Sequence, residues 1–173
     1  MNAHAKINLA LVVGPIRRDG KHEVTTVLQR IELADRIELE PAKQLQVGGF
    51  DEDTLVRGAL EGLAAAAGVD PHWAVRIDKV IPVAAGLGGG SSDAAAALRL
   101  ANETLAAPLS PETLHALAAE LGADVPFFLR DGPQLGEGDG SDLIPIDLPQ
   151  PNTVLLVIPD GETKQSTGAV YAA

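Results

Sequence analysis

A glycine-rich stretch at residues 84–93, AAGLGGGSSD, is the part of this chain best suited to chemistry. It follows a segment with strand-like alternation and precedes an alanine-rich one, so we expect it to connect a strand to a helix. Consecutive glycines let a backbone approach a ligand closely and adopt positive φ. A helix N-terminus adds unpaired N–H groups and about half a positive charge. The stretch therefore predicts a cradle for phosphate groups, with a tight strand–helix turn as the alternative.

The stretch does not fit the common signatures of nucleotide binding or hydrolysis. It lacks the lysine of a Walker A loop, and Ser91 stands where a dinucleotide fingerprint needs a glycine. The chain contains no His-Arg-Asp or Asp-Phe-Gly motif of protein kinases and no Gly-x-Ser-x-Gly elbow. Its four histidines lack metal-ligand spacing. Because it has no cysteine, disulfides, zinc fingers, iron–sulfur clusters and thiol catalysis are excluded.

Charge and composition restrict the partners. A net charge of −11 over 173 residues repels nucleic-acid backbones and anionic lipids, so we expect neither partner. A hydrophobic fraction of 46% excludes a disordered chain, and no apolar run approaches the roughly 20 residues of a membrane-spanning helix. The length suits one domain, or one domain plus a fragment of another. The N-terminus lacks signal-peptide features, so we expect a cytoplasmic protein.

Strand and helix patterns surround the glycine-rich stretch. Alternation of apolar residues, or a continuous apolar run, predicts strands at 6–13, 36–40, 73–78 and 153–158. Helical spacing predicts helices over 52–67, 92–106 and 111–121, and the start of another at 166–173. Gly68 suits the end of the first helix, and Ser110 with Pro111 suits the start of the third. This order of elements indicates an α+β or α/β fold.

Four polar residues outside the stretch are also candidates. Lys6 and Asn8 lie two apart in the first predicted strand, so their side chains share a face. Taken alone, Lys6 could be an exposed strand-end lysine. Asp124, in the GADVP segment, could be only a helix N-cap, and His22 only a loop residue.

Three segments together resemble the GHMP small-molecule kinases. They are AKINL at 5–9, PVAAGLGGGSSD at 82–93 and LGADVP at 121–126. Shorter similarities, in the order found in the family, are DGKHE at 19–23, LAD at 33–35, IDK at 77–79 and GEG at 136–138. Within the superfamily, the opening segment and the GADVP segment resemble the kinases of 4-diphosphocytidyl-2-C-methyl-D-erythritol, an intermediate of non-mevalonate isoprenoid synthesis.

The resemblance implies an α+β fold of the ribosomal protein S5 domain 2-like type. It implies an ATP-binding GHMP kinase N-terminal domain at 1–150 and the truncated start of the C-terminal domain at 151–173. The implied reaction is ATP-dependent phosphorylation of the diphosphocytidyl-methylerythritol hydroxyl, with ATP and Mg²⁺ as cofactors. The alternatives are a sibling GHMP kinase acting on mevalonate, homoserine or a sugar, and a nucleotide-binding fragment without turnover.

The resemblance also assigns roles to individual residues. Asp124 would take the proton from the substrate hydroxyl, and Lys6 would stabilise the transferred phosphoryl charge. Asn8 and His22 would contact the substrate, Lys79 would lie near the nucleotide, and a loop serine would lie near Mg²⁺. The residues expected to wrap the ATP phosphates are Pro82, Val83, Ala84, Ala85, Gly86, Leu87, Gly88, Gly89, Gly90, Ser91 and Ser92.

Two features depart from the pattern of the family. The family commonly has tyrosine where this chain has Lys21, which puts an aromatic contact to the pyrimidine in doubt. Family members also continue well beyond this length, with a second domain that closes over the substrate. The apolar strand predicted at 153–158 would then pair with the first domain, pair with another chain or remain an exposed edge. We therefore expect self-association through residues 154–158.

Overall fold

The computed structural model describes residues 1–50, 54–149 and 153–158. Its strands are β1 (Asn2–Ile16), β2 (His22–Pro41), β3 (Gln46–Gly48), β4 (Trp73–Asp78), β5 (Gln134–Glu137) and β6 (Asp142–Pro145). Its helices are α1 (Thr54–Ala67), α2 (Gly89–Thr104), α3 (Pro111–Leu121) and α4 (Val125–Phe128). The architecture is α+β, as the sequence predicts.

Strand β2 organises the sheet. The strand order is β3-β4-β2-β5-β6, and β1 pairs antiparallel with β2 along most of its length. Residues 36–41 of β2 pair with β4, and residues 26–28 pair with β5. Only residues 36–40 of β2 show strand alternation in the sequence. The preceding part of the strand is stabilised by backbone hydrogen bonds to β1 and β5, which its own sequence pattern does not reveal.

The helices cover the sheet with a core of small and large side chains. Helix α2 contributes alanines that are almost fully buried, at positions 94–97 and 101, and Leu98 beside them. Small side chains let the backbone of α2 lie close to its neighbours α1, β1 and β2. Leu60, Leu63 and Phe127 fill the same core with no exposed surface. This packing fixes the first turn of α2, where the glycine-rich stretch enters.

Local signals set most helix ends. Gly68 follows α1 with φ 66°, and the side chain of Ser110 accepts a hydrogen bond from Thr113 N–H at 3.3 Å at the start of α3. Helix α2 begins three residues before its predicted start, because Gly88, at φ 70°, forms its N-cap and Gly89 is already helical. It ends at Thr104 rather than at residue 106.

The strand predicted at 153–158 is wrong, since these residues form no strand. Leu156 packs against a small cluster with Ala5, Ile81 and Leu87. A continuous apolar run forms a strand where neighbours cover both faces, and here Leu155 is 86% exposed and Val157 is 77% exposed. The helix start predicted at 166–173, and residues 52–53 of the first predicted helix, lie outside the described residues.

Candidate functional site

The glycine-rich stretch lines an open pocket of about 360 Å³ between the end of β4 and the first turn of α2. The pocket wall consists of residues 82–91 together with Phe50, Leu55 and Lys79. Gly86 takes φ 77°, and a Cβ added there would meet no atom within 4 Å. The backbone at Gly86 therefore faces open space in a conformation that only glycine adopts without strain.

Gly88 is required for a different reason, which is close approach. A Cβ at this position would lie 3.0 Å from Lys6 Cγ and 3.0 Å from the ring of Phe128. Its φ of 70° is also in the left-handed region. The loop thus packs tightly against β1, which carries Lys6 and Asn8, and against α4, whose N-cap is Asp124.

Ala84 carries the backbone strain of the loop. Its φ of 60° is positive, which is found at no other non-glycine residue in the part of the chain that the structure describes. Such a conformation costs on the order of 1 kcal/mol or more and persists where surrounding contacts impose it. Strained residues of this kind cluster at ligand-binding sites.

Lys6 is a buried cation held by two polar partners. Its Nζ lies 3.3 Å from Asp124 Oδ2 and donates a hydrogen bond of 2.7 Å to Asn8 Oδ1. Asn8 in turn donates to Thr26 Oγ1 at 2.6 Å. The side chain of Lys6 is 8% exposed, which argues against a free strand-end lysine. The shared face predicted for Lys6 and Asn8 is confirmed by their direct contact.

Asp124 stands at the N-cap position of α4, yet its side chain makes no capping hydrogen bond. Its carboxylate is directed to Lys6 instead and is 41% exposed. The geometry therefore disfavours the reading of Asp124 as a simple cap. A carboxylate that is partly open to solvent and paired with a buried ammonium can also approach a bound hydroxyl.

Strand β1 places this pair beside the loop. The backbone N–H of Lys6 donates to the carbonyl of Leu87 at 2.9 Å. The glycine-rich backbone and the Lys6–Asp124 pair thus lie next to each other, although the stretch begins 78 residues after Lys6 in the sequence (84 − 6). Anion-binding backbone and an ammonium–carboxylate pair at one place suit the transfer of a charged group to a hydroxyl.

His22 lies at the far end of the β1–β2 hairpin. It pairs with Ile16, whereas Lys6 pairs with Arg30, eight residues further along β2 (30 − 22). That separation is roughly 25 Å of strand at about 3.3 Å per residue. The Nδ1 atom of His22 lies 3.0 Å from the carbonyl oxygen of Gly14. The structure does not bring His22 into contact with the Lys6–Asp124 pair.

Lys21 forms an ion pair with Asp139, in the turn between β5 and β6. Burial favours the neutral carboxyl, but hydrogen bonds from Lys21 and Ser141 outweigh it and lower the pKa of Asp139 to about 2. This pair joins the hairpin loop to the β5–β6 turn. A backbone hydrogen bond of 2.7 Å from Val24 N–H to the carbonyl of Gly138 joins the same two regions.

Lys79 lines the pocket formed by the glycine-rich stretch, but its ammonium is held by two carboxylates that the sequence analysis gave no role. Its Nζ lies 2.7 Å from Asp35 Oδ2 and 2.6 Å from Asp93 Oδ2, and both acidic side chains have no exposed surface. Burial disfavours the cation, yet the two carboxylates outweigh burial and raise the pKa of Lys79. The only sequence signals for these acids are the LAD and SSD segments.

Comparison with known proteins agrees with this geometry. Residues 54–132 match the family model described as the GHMP kinases N terminal domain. A curated relative from Rhodococcus jostii (strain RHA1), named 4-diphosphocytidyl-2-C-methyl-D-erythritol kinase, is 44% identical over 84% of this chain and 50% of its own length. A relative of the same name from Pelotomaculum thermopropionicum is 46% identical over 99% of this chain and 62% of its own length.

Solved structures share the fold. The crystal structure of a 4-(cytidine 5'-diphospho)-2C-methyl-D-erythritol kinase matches with a TM-score of 0.76 and 40% identity, over 86% of this chain and 55% of that chain. A mevalonate kinase structure, 13% identical with a TM-score of 0.63, covers 85% of this chain and 55% of its own. The chain spans between half and two thirds of the length of these relatives. The chain carries the N-terminal domain of the GHMP kinases.

Proposed function

We propose that the protein transfers the γ-phosphoryl group of ATP to the hydroxyl of 4-(cytidine 5'-diphospho)-2-C-methyl-D-erythritol, a step of non-mevalonate isoprenoid precursor synthesis. The observation that carries this proposal is the contact between the glycine-rich loop and the Lys6–Asp124 pair. The names of the relatives at 44% and 46% identity support the choice of substrate. The protein would act on a small molecule in the cytoplasm. Within the described residues, no helix has the length and apolar character to cross a bilayer.

In this proposal, residues 82–92 bind the phosphates through backbone N–H groups at the start of α2. The residues present fit such a ligand, because Gly86 leaves open space and the glycines that follow it add no side chains to the pocket. Lys79 lies on the pocket wall, near the nucleotide. Phosphoryl transfer depends mainly on positioning and charge neutralisation, which a glycine-rich cradle supplies.

Asp124 accepts the proton of the substrate hydroxyl, and Lys6 neutralises charge on the phosphoryl group as it moves. The buried position of Lys6 strengthens this effect, since charges interact more strongly away from water. Asn8 holds the ammonium from its other side through Oδ1. These three side chains thus form the acceptor half of the site.

Mg²⁺ would supply further charge neutralisation between the phosphates when bound. Within the described residues, no group of three or more His, Asp or Glu side chains could hold a metal ion. Magnesium commonly takes only one or two protein ligands and completes its shell with phosphate oxygens and water. The residues that would lie near Mg²⁺ are Ser91, on the pocket wall, or Ser92, which follows it in α2.

The position of His22 constrains how the substrate lies. Asp124 must reach the reacting hydroxyl, while His22 sits roughly 25 Å of strand away from the level of Lys6. A contact to both is possible only for an elongated substrate that follows the β1–β2 hairpin, such as one with a cytidine diphosphate at the end opposite the hydroxyl. With Lys21 in place of the aromatic residue, a contact to the diphosphate would be ionic.

A second candidate is a nucleotide-binding fragment without turnover, because the chain covers only 50–62% of the two relatives. A sibling kinase is a third, but the mevalonate kinase likeness at 13% identity concerns the fold alone. The test is transfer of labelled phosphate from ATP to 4-diphosphocytidyl-methylerythritol, with mevalonate and homoserine as comparison acceptors. We expect labelling of the first acceptor only. Preferential labelling of another acceptor indicates a sibling kinase, and ATP binding without labelling indicates the fragment.

A further inference from the structure

We propose that Asp35 is a positioning residue for the glycine-rich loop. It holds the loop entry and the N-terminal part of α2 in the geometry that receives the nucleotide phosphates. Asp35 acts through Lys79 and through two backbone N–H groups, without touching the nucleotide itself. This inference rests on the proposed function, because it assumes that the loop binds ATP.

The first contact of Asp35 fixes the entry to the loop. Strand β4 ends at Asp78, so the N–H groups of Val80 and Ile81 lie beyond its ladder. Oδ1 of Asp35 accepts hydrogen bonds from both, at 2.5 Å and 2.7 Å. A buried N–H group without an acceptor is costly, so this single carboxylate oxygen determines the path of the chain after β4.

The second contact reaches the far end of the loop. Oδ2 of Asp35 lies 2.7 Å from the Nζ of Lys79, which also contacts Asp93, the fifth residue of α2, at 2.6 Å. One ammonium thus joins β2, the segment after β4 and the start of α2. A Cβ added at Gly89 would lie 3.1 Å from the same Nζ, so this cluster packs directly under the loop.

The cluster is placed to hold the loop rather than to bind a ligand. Both carboxylates are fully buried and the side chain of Lys79 is 14% exposed, so the ammonium is committed to protein partners. Buried ion pairs add little net stability compared with apolar packing, but breaking one is costly. The strained φ of 60° at Ala84 lies between the two ends that the cluster fixes, where a restrained loop is needed.

Two variants separate the contacts of Asp35. Asp35→Asn keeps an oxygen acceptor for the two N–H groups but removes the charge that attracts Lys79. Asp35→Ala removes both contacts. In the 173-residue chain without nucleotide, we expect faster amide hydrogen exchange at Val80 and Ile81 in Asp35→Ala and near-normal exchange in Asp35→Asn. Unchanged amide exchange in a folded Asp35→Ala variant would show that the hydrogen bonds from Val80 and Ile81 to Asp35 do not hold the entry to the loop.

ATP affinity reports the positioning role. We expect Asp35→Asn to weaken ATP binding about tenfold, similar to the smaller losses seen when residues that orient metal ligands are removed. In the kinase reaction, the same variant should raise the KM for ATP while kcat and the KM for the alcohol stay within about twofold. A purely structural defect would instead lower kcat with both KM values unchanged, because it reduces the active fraction.

The alternative is that Lys79 contacts the phosphates directly. Releasing it from Asp35 would then leave ATP affinity unchanged or strengthen it, and either result overturns the proposal. The matched control is Asp78→Asn, which removes the carboxylate next to Lys79 in sequence, in an exposed ion pair 2.9 Å from Arg76, and should leave ATP affinity unchanged. If the wild-type chain itself does not bind ATP, the proposed function fails. If it binds ATP and Asp35→Asn binds equally well, only the role of Asp35 fails.

Discussion

The chemistry of the site depends on unequal burial of two opposite charges. Lys6 is buried among Asp124, Asn8 and the loop backbone, while the carboxylate of Asp124 is 41% exposed. In the proposed mechanism, this difference would let Asp124 contact a substrate while Lys6 stays fixed. The roles proposed for Lys6 and Asp124 cannot be inferred from either residue alone, because a strand-end lysine and a helix-cap aspartate are both ordinary features.

Replacing Asp124 by asparagine removes the proposed proton acceptor and keeps the shape of the side chain. We expect Asp124→Asn to lower kcat by about 10²-fold or more with nearly unchanged ATP affinity. Steady-state kinetics and calorimetry measure the two quantities. The control is Glu120→Gln on the exposed surface of α3, which should retain full activity. Near-normal turnover of the Asp124 variant would remove this residue from the mechanism.

Among the elements, the loop and the first turn of α2 leave different amounts of room at adjacent glycines. A Cβ at Gly89 would lie 3.0 Å from Ile81 Cγ2, whereas one at Gly90 would lie 3.5 Å from Leu55 Cδ1. Ile81 is buried and cannot easily move, while the second distance is ordinary contact. Two alanine substitutions one residue apart therefore test whether loop geometry controls nucleotide binding.

We expect Gly89→Ala to weaken ATP binding and to lower the free energy of unfolding. Gly90→Ala should weaken ATP binding less than Gly89→Ala does, and it should gain up to about 1 kcal/mol of stability because alanine favours helix. Urea unfolding and calorimetry on both variants provide the measurements. Equal ATP affinity in the two folded variants would show that the packing beneath Gly89 does not affect the site.

The ion pair between Lys21 and Asp139, which joins the hairpin loop to the β5–β6 turn, should affect the pH dependence of the free energy of unfolding. The pKa of Asp139 is lowered from 3.8 to about 2 in the folded chain. The contribution of the Asp139 carboxylate to the free energy of unfolding is therefore complete above about pH 4 and is lost as the pH falls through 2. The difference in unfolding free energy between wild type and Asp139→Asn should be constant from pH 7 to 5 and shrink towards pH 2. A constant difference throughout would contradict the ion pair.

Elements whose ends are fixed by local chemistry were predictable from the sequence, and those fixed by distant partners were not. Ser110 and Gly68 mark helix ends because their effects act within a few residues. The full length of β2, and the short strands β5 and β6, depend on pairing with distant segments. In the site, the loop, Lys6, Asn8 and Asp124 were candidates from their residue types. The role of Asp35 was not, because its partners lie some 45 residues away.

For the whole molecule, a net charge of −11 opposes contact between copies, while exposed apolar residues favour it. Leu155 and Val157 are highly exposed, and Leu9 and Val12 on β1 are 52% and 66% exposed. Burying such a side chain fully is worth roughly 1.5–3 kcal/mol. We therefore propose that the chain self-associates through residues 154–158, more strongly at high salt, where repulsion is screened.

Light scattering on the purified chain tests this self-association. We expect an apparent mass above that of the monomer, which falls on dilution and in the double variant Leu155→Lys, Val157→Lys. The control is Val69→Lys, which adds a charge at another exposed apolar residue and should change nothing. A monomer at all concentrations, with or without the added lysines, would contradict the proposal.

In the proposed function, the glycine-rich loop of this chain binds the phosphates of ATP next to Lys6 and Asp124. The most direct test is titration of the ¹⁵N-labelled chain with ATP, up to roughly 5 mM, which exceeds the usual range of KM values. We predict that the largest changes in amide chemical shift occur at residues 86–92, with smaller changes at Lys6. We also predict that these changes saturate as the ATP concentration rises. Absence of shifts at residues 86–92 in a folded chain, or shifts scattered over the surface without saturation, would contradict the account.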